Sequence, residues 1–234
     1  QHQSKLSALG ELLSAITHQW RHPITRISLL LQNLKYDLES VSIVNQSIEA
    51  TINASLNQID FLSETIENFR NFYMPNSTKE VFHLKEALDL VMLIIYDILE
   101  HHGIKLISRI DESLLLYGNK STFAHVFLNI INNAKDEMIN RKIKNPTIYI
   151  CTKYKKDFFS LYISDNAGGV EPELLKKIFE PYISTKNKDG SGIGLYITKA
   201  IIEEKYNGFI TAKNFQQGLL FLIKIKNISE HNKY

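Results

Sequence analysis

The residues able to do chemistry fall in two widely separated parts of this chain. Near the start, His18 lies in Ser14-Ala15-Ile16-Thr17-His18-Gln19-Trp20-Arg21-His22-Pro23-Ile24, off the apolar stripe of its own segment. A polar, nucleophilic imidazole is thereby turned to solvent. Far downstream come Asn-rich and Gly-rich stretches suited to a nucleotide, so a site for a phosphoryl donor and a candidate acceptor share one polypeptide.

The downstream stretches each carry a distinct chemistry. In Asn129-Ile130-Ile131-Asn132-Asn133-Ala134-Lys135-Asp136, the residues Asn129, Asn133 and Asp136 recur about one helical turn apart and share a face. Their side-chain oxygens suit Mg²⁺ and phosphate-bound water; an ordinary polar helix face is the alternative. Ser164-Asp165-Asn166-Ala167-Gly168-Gly169-Val170 follows an apolar run. A carboxylate at a strand end suits the exocyclic amine of adenine, and glycines such as Gly169 let backbone approach a base; a plain turn is again the alternative. Gly190-Ser191-Gly192-Ile193-Gly194-Leu195 opens a helical pattern, where freed N–H groups and the helix dipole suit phosphate. Just before it, Thr185-Lys186 brings a lysine within reach of a terminal phosphate.

Two helical runs must carry His18. Leu6, Leu9, Leu13, Ile16, Trp20, Ile24, Ile27, Leu31, Leu34 and Leu38 alternate steps of three and four, and the rhythm resumes at Ile48, Ile52, Leu56, Ile59, Leu62, Ile66, Phe69 and Tyr73. An antiparallel hairpin follows. Alone it leaves Trp20, Ile27, Phe61 and Phe69 partly wet, so two hairpins pairing as a four-helix bundle, a homodimer, are expected. At about 100° per residue, His18 falls opposite the seam with His22, Thr25, Leu29 and Tyr36. Pro23 leaves the Gln19 carbonyl without its usual donor, which kinks the helix beside the ring.

Met74-Pro75-Asn76-Ser77-Thr78 ends the periodicity. The expected domains are a helical hairpin over 1–75, a linker over 76–79, an α+β sandwich with a mixed sheet over 80–227 and a tail over 228–234. Within the sandwich the pattern predicts helices over Leu84–Glu100, Ser121–Arg141, Glu171–Phe179 and Gly194–Tyr206. Strands are predicted over Lys105–Ile110, Thr147–Tyr154, Phe158–Asp165, Phe209–Asn214 and Leu219–Lys226.

Bulk properties narrow the partners. With 234 residues and 44% apolar content there is material for two cores, and a formal charge of +2 gives no case for nucleic acid or an anionic membrane as the main partner. The lone Cys151, in an apolar strand, forms no internal disulfide and fits a reducing cytoplasm. The longest apolar stretch, Val91–Leu99, is about half of the ~20 residues that cross a bilayer. Since the chain begins at Gln1 without a signal pattern, a fragment of a longer protein is expected.

The ordered set is far more specific than any member. It resembles the cytoplasmic core of bacterial sensor histidine kinases: a His box at His18, then an Asn box, a first glycine box, a Phe-containing box in Phe179-Glu180-Pro181-Tyr182-Ile183-Ser184-Thr185-Lys186, and a second glycine box, from Leu6 to Lys226. The resemblance implies a Bergerat-type ATP-binding sandwich, shared with gyrase-type ATPases and heat-shock chaperones, behind a dimeric phosphotransfer hairpin. It implies ATP at Asn129, Asn133, Asp136, Asp165, Gly169, Thr185, Lys186, Gly190, Gly192, Ile193, Gly194 and Leu195, with Mg²⁺ on Asn133. Val170 to Asp189 would be a mobile lid. His18 would be the phosphoacceptor, and a receiver domain of a response regulator would dock near His18, Thr25, Leu29 and Tyr36. The sequence departs from the family pattern at Gln19, where many relatives have an acid, and at His22, where many have Thr or Asn to position water for dephosphorylating the partner. Gln19 is expected to orient the imidazole without taking its proton. A degenerate, non-catalytic ATP-binding scaffold remains the alternative, as does an ATP-driven conformational machine.

Overall fold

The computed structural model describes residues 23–38, 47–56, 59, 79–155, 158–181, 183 and 192–226. The chain divides into two units, one drawn from positions 1–76 and 184–193, the other from 77–183 and 194–234.

In the first unit, residues 23–38 (α1) and 47–56 (α2) are helical. Lys35 Nζ donates to Asn53 Oδ1 at 3.2 Å and joins the two. The Thr51 and Ser55 hydroxyls donate to the carbonyls of Ser47 and Thr51, so these weak helix formers satisfy themselves within α2. Thr25 is exposed, and Leu29 and Tyr36 are 54% and 72% exposed, on the stripe opposite the expected seam. The kink expected at Pro23 depends on Gln19 and lies outside the described residues, as do Trp20, Phe61 and Phe69.

The second unit is built on a five-stranded mixed sheet. Its strands are β2 (Lys105–Arg109), β4 (Thr147–Lys155), β5 (Phe158–Asp165), β7 (Gly218–Lys226) and β6 (Phe209–Phe215), in that spatial order. β2 and β4 are parallel and the other pairs antiparallel. Period-two alternation turns Ile148, Ile150, Leu161, Ile163, Phe221 and Ile223 into the core. Two strands escaped the sequence reading: β1 (Glu80–His83) and β3 (Leu115–Gly118) form a separate antiparallel ribbon. Four residues each are too few for alternation to register.

Three longer helical segments complete the unit. α3 (Leu84–His101) follows β1 directly, and His83 N–H is bonded to the Glu86 carboxylate at 3.3 Å. α4 (Lys120–Asn140) begins at Asn119, whose Oδ1 accepts from Thr122 N–H at 2.8 Å. α6 (Gly194–Ala200) continues as a π-helical turn over Ile201–Lys205, where a single α-helix to Tyr206 was expected. The expected helix from Glu171 to Phe179 is confined to α5 (Pro172–Leu175), after which the chain turns. No described helix is long and apolar enough to cross a membrane.

Tyr206, at the end of the π turn, ties the last helical segment to the first turn of α4. Its hydroxyl donates to the Asn119 carbonyl at 2.6 Å, and its ring packs edge-on against Phe123 with centroids 5.0 Å apart. Gly118 makes room, since a Cβ there would lie 2.7 Å from the Tyr206 ring. Burial raises the phenol's pKa well above the ordinary tyrosine value, so it remains a donor at neutral pH. Replacing Tyr206 by Phe keeps the ring and removes the bond. Urea unfolding should show a loss of about 0.5–1.5 kcal/mol with an unchanged m-value.

Candidate functional site

The site is laid out along α4. Asn129 is buried on this helix, and its Nδ2 donates to the Gly194 carbonyl at 3.2 Å and to Thr198 Oγ1 at 3.3 Å. Thr198, fully buried, donates in turn to the Gly194 carbonyl at 2.9 Å. The Asn-rich helix is thus fastened to the first turn after the second glycine stretch. Asn129 was expected to face the nucleotide with Asn133 and Asp136. In the structure its amide hydrogens are taken up by α6, and a helix interior that must hold α6 explains a residue of poor helix propensity there.

One turn on, Asn133 is half-buried and makes no hydrogen bond among the described residues, leaving its carbonyl and amide for a ligand. Asp136 pairs with Lys135 at 3.2 Å. Among the described residues no group of three His, Cys, Asp or Glu side chains is assembled for a metal. A hard cation that keeps most of its waters and shares phosphate oxygens fits a single amide carbonyl of this kind.

At the other end, β5 delivers Asp165. Its Oδ1 accepts from Ala167 N–H at 2.8 Å and from Leu219 N–H at 3.3 Å. Burial raises its pKa above the ordinary aspartate value, with Glu137 acting in the same direction; the two N–H bonds and the Arg141 charge only partly offset this. The loop beyond is held on both sides. Asn166 accepts from Thr147 N–H and donates to the Asn145 carbonyl, while Asn214 of β6 accepts from Val170 N–H at 2.9 Å and donates to the Val170 carbonyl at 2.6 Å. Gly168 and Gly169 take φ of 97° and 68° within this loop. Arg141 lies over Gly168, where a Cβ would meet its guanidinium at 2.6 Å.

Glycine spacing could point to Gly169, but sequence reasoning missed Asn214, Arg141 and Gly218. Gly218 opens β7 so close to β5 that a Cβ would fall 1.8 Å from the Asp165 carbonyl oxygen. No local signal marks it, because the contact exists only once β7 lies beside β5.

Of the remaining expected residues, Gly192 has a φ of 61°, and Ile193, Gly194 and Leu195 lead into α6. Phe179 packs edge-on against Phe221 at 6.3 Å, and Lys199 Nζ lies 5.9 Å above its ring. His18, Gln19, His22, Thr185, Lys186 and Gly190 lie outside the described residues.

Two outcomes follow from this geometry. Gly218→Ala forces backbone apart beside Asp165 and should cost at least the ~1–3 kcal/mol typical of overpacking, measured by denaturant unfolding. Asp165 has a folded-state pKa above its unfolded one, so its contribution to stability is complete below the ordinary aspartate range and is lost as pH rises through the raised value. Carboxyl carbon NMR should place its midpoint above an ordinary aspartate's, and Asp165→Asn should remove that part of the stability profile.

Residues 118–228 match the protein family described as histidine kinase-, DNA gyrase B-, and HSP90-like ATPase. Sporulation kinase A of Bacillus subtilis is 27% identical over 221 residues, covering 94% of this chain and 35% of that protein. The chain spans between a quarter and about half the length of the first curated relatives it matches. The catalytic domain of histidine kinase ThkA superposes with a TM-score of 0.56 at 25% identity, over 64% of this chain and 95% of that one. A structure of ThkA in complex with the response regulator protein TrrA gives a TM-score of 0.62 at 22% identity, over 97% of this chain and 64% of that one. The mixed sheet and these likenesses converge: residues 118–228 are similar to histidine kinase-, DNA gyrase B- and HSP90-like ATPases, in a chain that is similar to proteins named as sensors and histidine kinases.

Proposed function

We propose that the chain is the kinase core of a two-component sensor, which uses Mg-ATP to phosphorylate His18 and passes the phosphoryl group to an aspartate of a response regulator. The observation that carries this reading is the assembly along α4: Asn129 fastened to Gly194 and Thr198 near one end, Arg141 beside Asp165 and Gly168 at the other. Roughly 18 Å of helix separates Asn129 from Arg141, enough for a nucleotide to lie along it. Asp165 is the acceptor for the adenine amine, through the carboxylate oxygen that takes neither backbone N–H. Gly169 lets the base approach, and Asp136 lies about one turn beyond Asn133, toward the Asp165 end of the helix. Gly190, Gly192, Ile193, Gly194 and Leu195 would cradle the phosphates, with Thr185 and Lys186 closing over them.

Mg²⁺ would be held by Asn133, where it supplies charge compensation to the phosphates. The neutral imidazole of His18 forms a nitrogen–phosphorus bond as the bond from the γ-phosphorus to the bridging oxygen breaks, and ADP leaves. Gln19 holds the ring in position by accepting from its N–H. His22 would orient water for dephosphorylation of the partner.

The exposure of Ile27, Leu30 and Leu34 on α1 supports a second copy completing a four-helix bundle. Exposed Thr25, Leu29 and Tyr36 support receiver docking below His18. A lone Cys151 is compatible with a reducing cytoplasm. Gln19 and His22 favour the second reading, a scaffold that binds ATP without transferring phosphate.

Labelled Mg-ATP separates the two. The kinase acquires acid-labile, base-stable label, and His18→Gln abolishes it while leaving dimerisation and nucleotide affinity unchanged; label that persists at the wild-type level removes His18 from the mechanism. A wild-type chain that binds ATP and never labels is the scaffold. Gln19→Glu should raise the initial autophosphorylation rate by adding a carboxylate to hold the ring N–H. Positioned acid–base groups give about 10²–10⁴-fold at full effect, and a fraction of that is expected here.

A further inference from the structure

The formal charge of +2 conceals a one-sided distribution. The sheet face turned away from the core carries Lys105, Arg109, Lys153, Lys213, Lys224 and Lys226, all exposed. Among the described residues of the five strands the single carboxylate is Asp165, and it lies on the opposite face in register with Ile148. None of the six cations has an ion pair among the described residues. Such a face is maintained against its own repulsion, and an anionic layer relieves it.

The register concentrates this charge beside exposed phenyl rings. Lys153, Ser160, Lys224 and Phe209 lie opposite one another in a row across β4, β5, β7 and β6, and the neighbouring pair is Phe158 with Lys226. Phe158 and Phe209 are 53% and 54% exposed. Adjacent strands are about 4.8 Å apart, so the two lysines of the row stand about 10 Å from each other, a span over which neighbouring headgroups would pair with both.

We propose that this outer face docks on an anionic lipid surface, the lysines meeting headgroup phosphates and carboxylates while Phe158 and Phe209 enter the interfacial layer. The residue choice favours lipid over nucleic acid. Five of the six cations are lysines, flexible point charges suited to mobile headgroups, where fixed phosphates favour the arginine fork. Away from the strand ends, the polar residues alternating with these cations are Tyr149, Cys151, Ser160, Tyr162, Ser164 and Thr211, with no Asn or Gln to read a base edge. Basic residues flanking aromatic ones form the combination that holds proteins at a bilayer interface. This assignment is independent of the phosphotransfer reading, since none of these residues belongs to the nucleotide site.

Cosedimentation of the full chain tests it, using vesicles of phosphatidylserine and phosphatidylcholine in equal parts against pure phosphatidylcholine. Binding is expected only to the anionic vesicles and should weaken steeply with salt, as surface charge is screened. Each interfacial lysine contributes about fivefold, so Lys153→Gln/Lys224→Gln should weaken binding by about 25-fold while nucleotide affinity and melting temperature stay constant. Absence of binding to anionic vesicles, equal binding to pure phosphatidylcholine, or a double variant that binds like wild type overturns the proposal. So does tighter, salt-sensitive binding to single-stranded oligonucleotide than to the vesicles, which would assign the face to nucleic acid.

Discussion

Everything in the nucleotide half of this protein hangs on α4 being at once a core element and a polar one. Phe123, Phe127, Ile130 and Ile131 bury its apolar side, and Asn129 sits buried among them. A buried amide without partners costs about 1–3 kcal/mol. Here both of its donor contacts go to α6, and the Thr198 hydroxyl closes the set on the same carbonyl. The result is a constraint rather than a large net gain. α6 cannot slide or rotate along α4 without stranding Asn129 and Thr198, so Gly194 is held at one height on the helix. At the far side of the same pair, Tyr206 fixes the π turn to Asn119. Two hydrogen-bonded points suffice to lock the relative register of the segments.

A second constraint acts through the sheet. Asp165 is held by its own loop and by the first residues of β7, and Gly218 exists because backbone must pass where any side chain would sit. Asn214, two strands away from Asp165 in the sheet order, returns to clamp Val170. The placement of the Asp165 carboxylate is therefore a property of three strands, and a loop that looks like an ordinary turn in isolation is held by residues far along the chain. Burial raises the Asp165 pKa above the ordinary aspartate value even so, which places a poorly solvated acceptor where a bound amine would substitute for water.

How far the sequence could be read follows from which interactions are local. Helical and strand periodicities are repeated over many residues, so α3, α4 and the five strands of the main sheet were legible to within a few positions. β1 and β3 were not, because four-residue strands give no period and owe their existence to each other. The long helix expected over Gly194–Tyr206 concealed the π turn, because widening the helix serves the distant contact of Tyr206 with Asn119. Among candidate site residues, Asn133, Asp165 and Gly169 stand out by type and spacing. Asn129 was legible as important, but its bonds to α6 were not, since an amide that would suit a ligand suits a buried carbonyl equally well. Arg141, Asn214 and Gly218 carried no local signal at all.

The same alternation that buries Ile148, Leu161 and Ile223 sets the character of the opposite face, and the two faces obey different pressures. The inner positions are fixed by packing against helices and tolerate only apolar side chains of the right volume. Outer positions need only suit solvent, for which mixed charges serve best. A face holding, among the described residues, six cations and no carboxylate departs from that mixture, although folding does not require it. Charges of either sign would satisfy the strands, so the uniformity belongs to whatever meets the sheet, and the phenyl rings beside the lysines narrow that to something with an apolar layer beneath its charge.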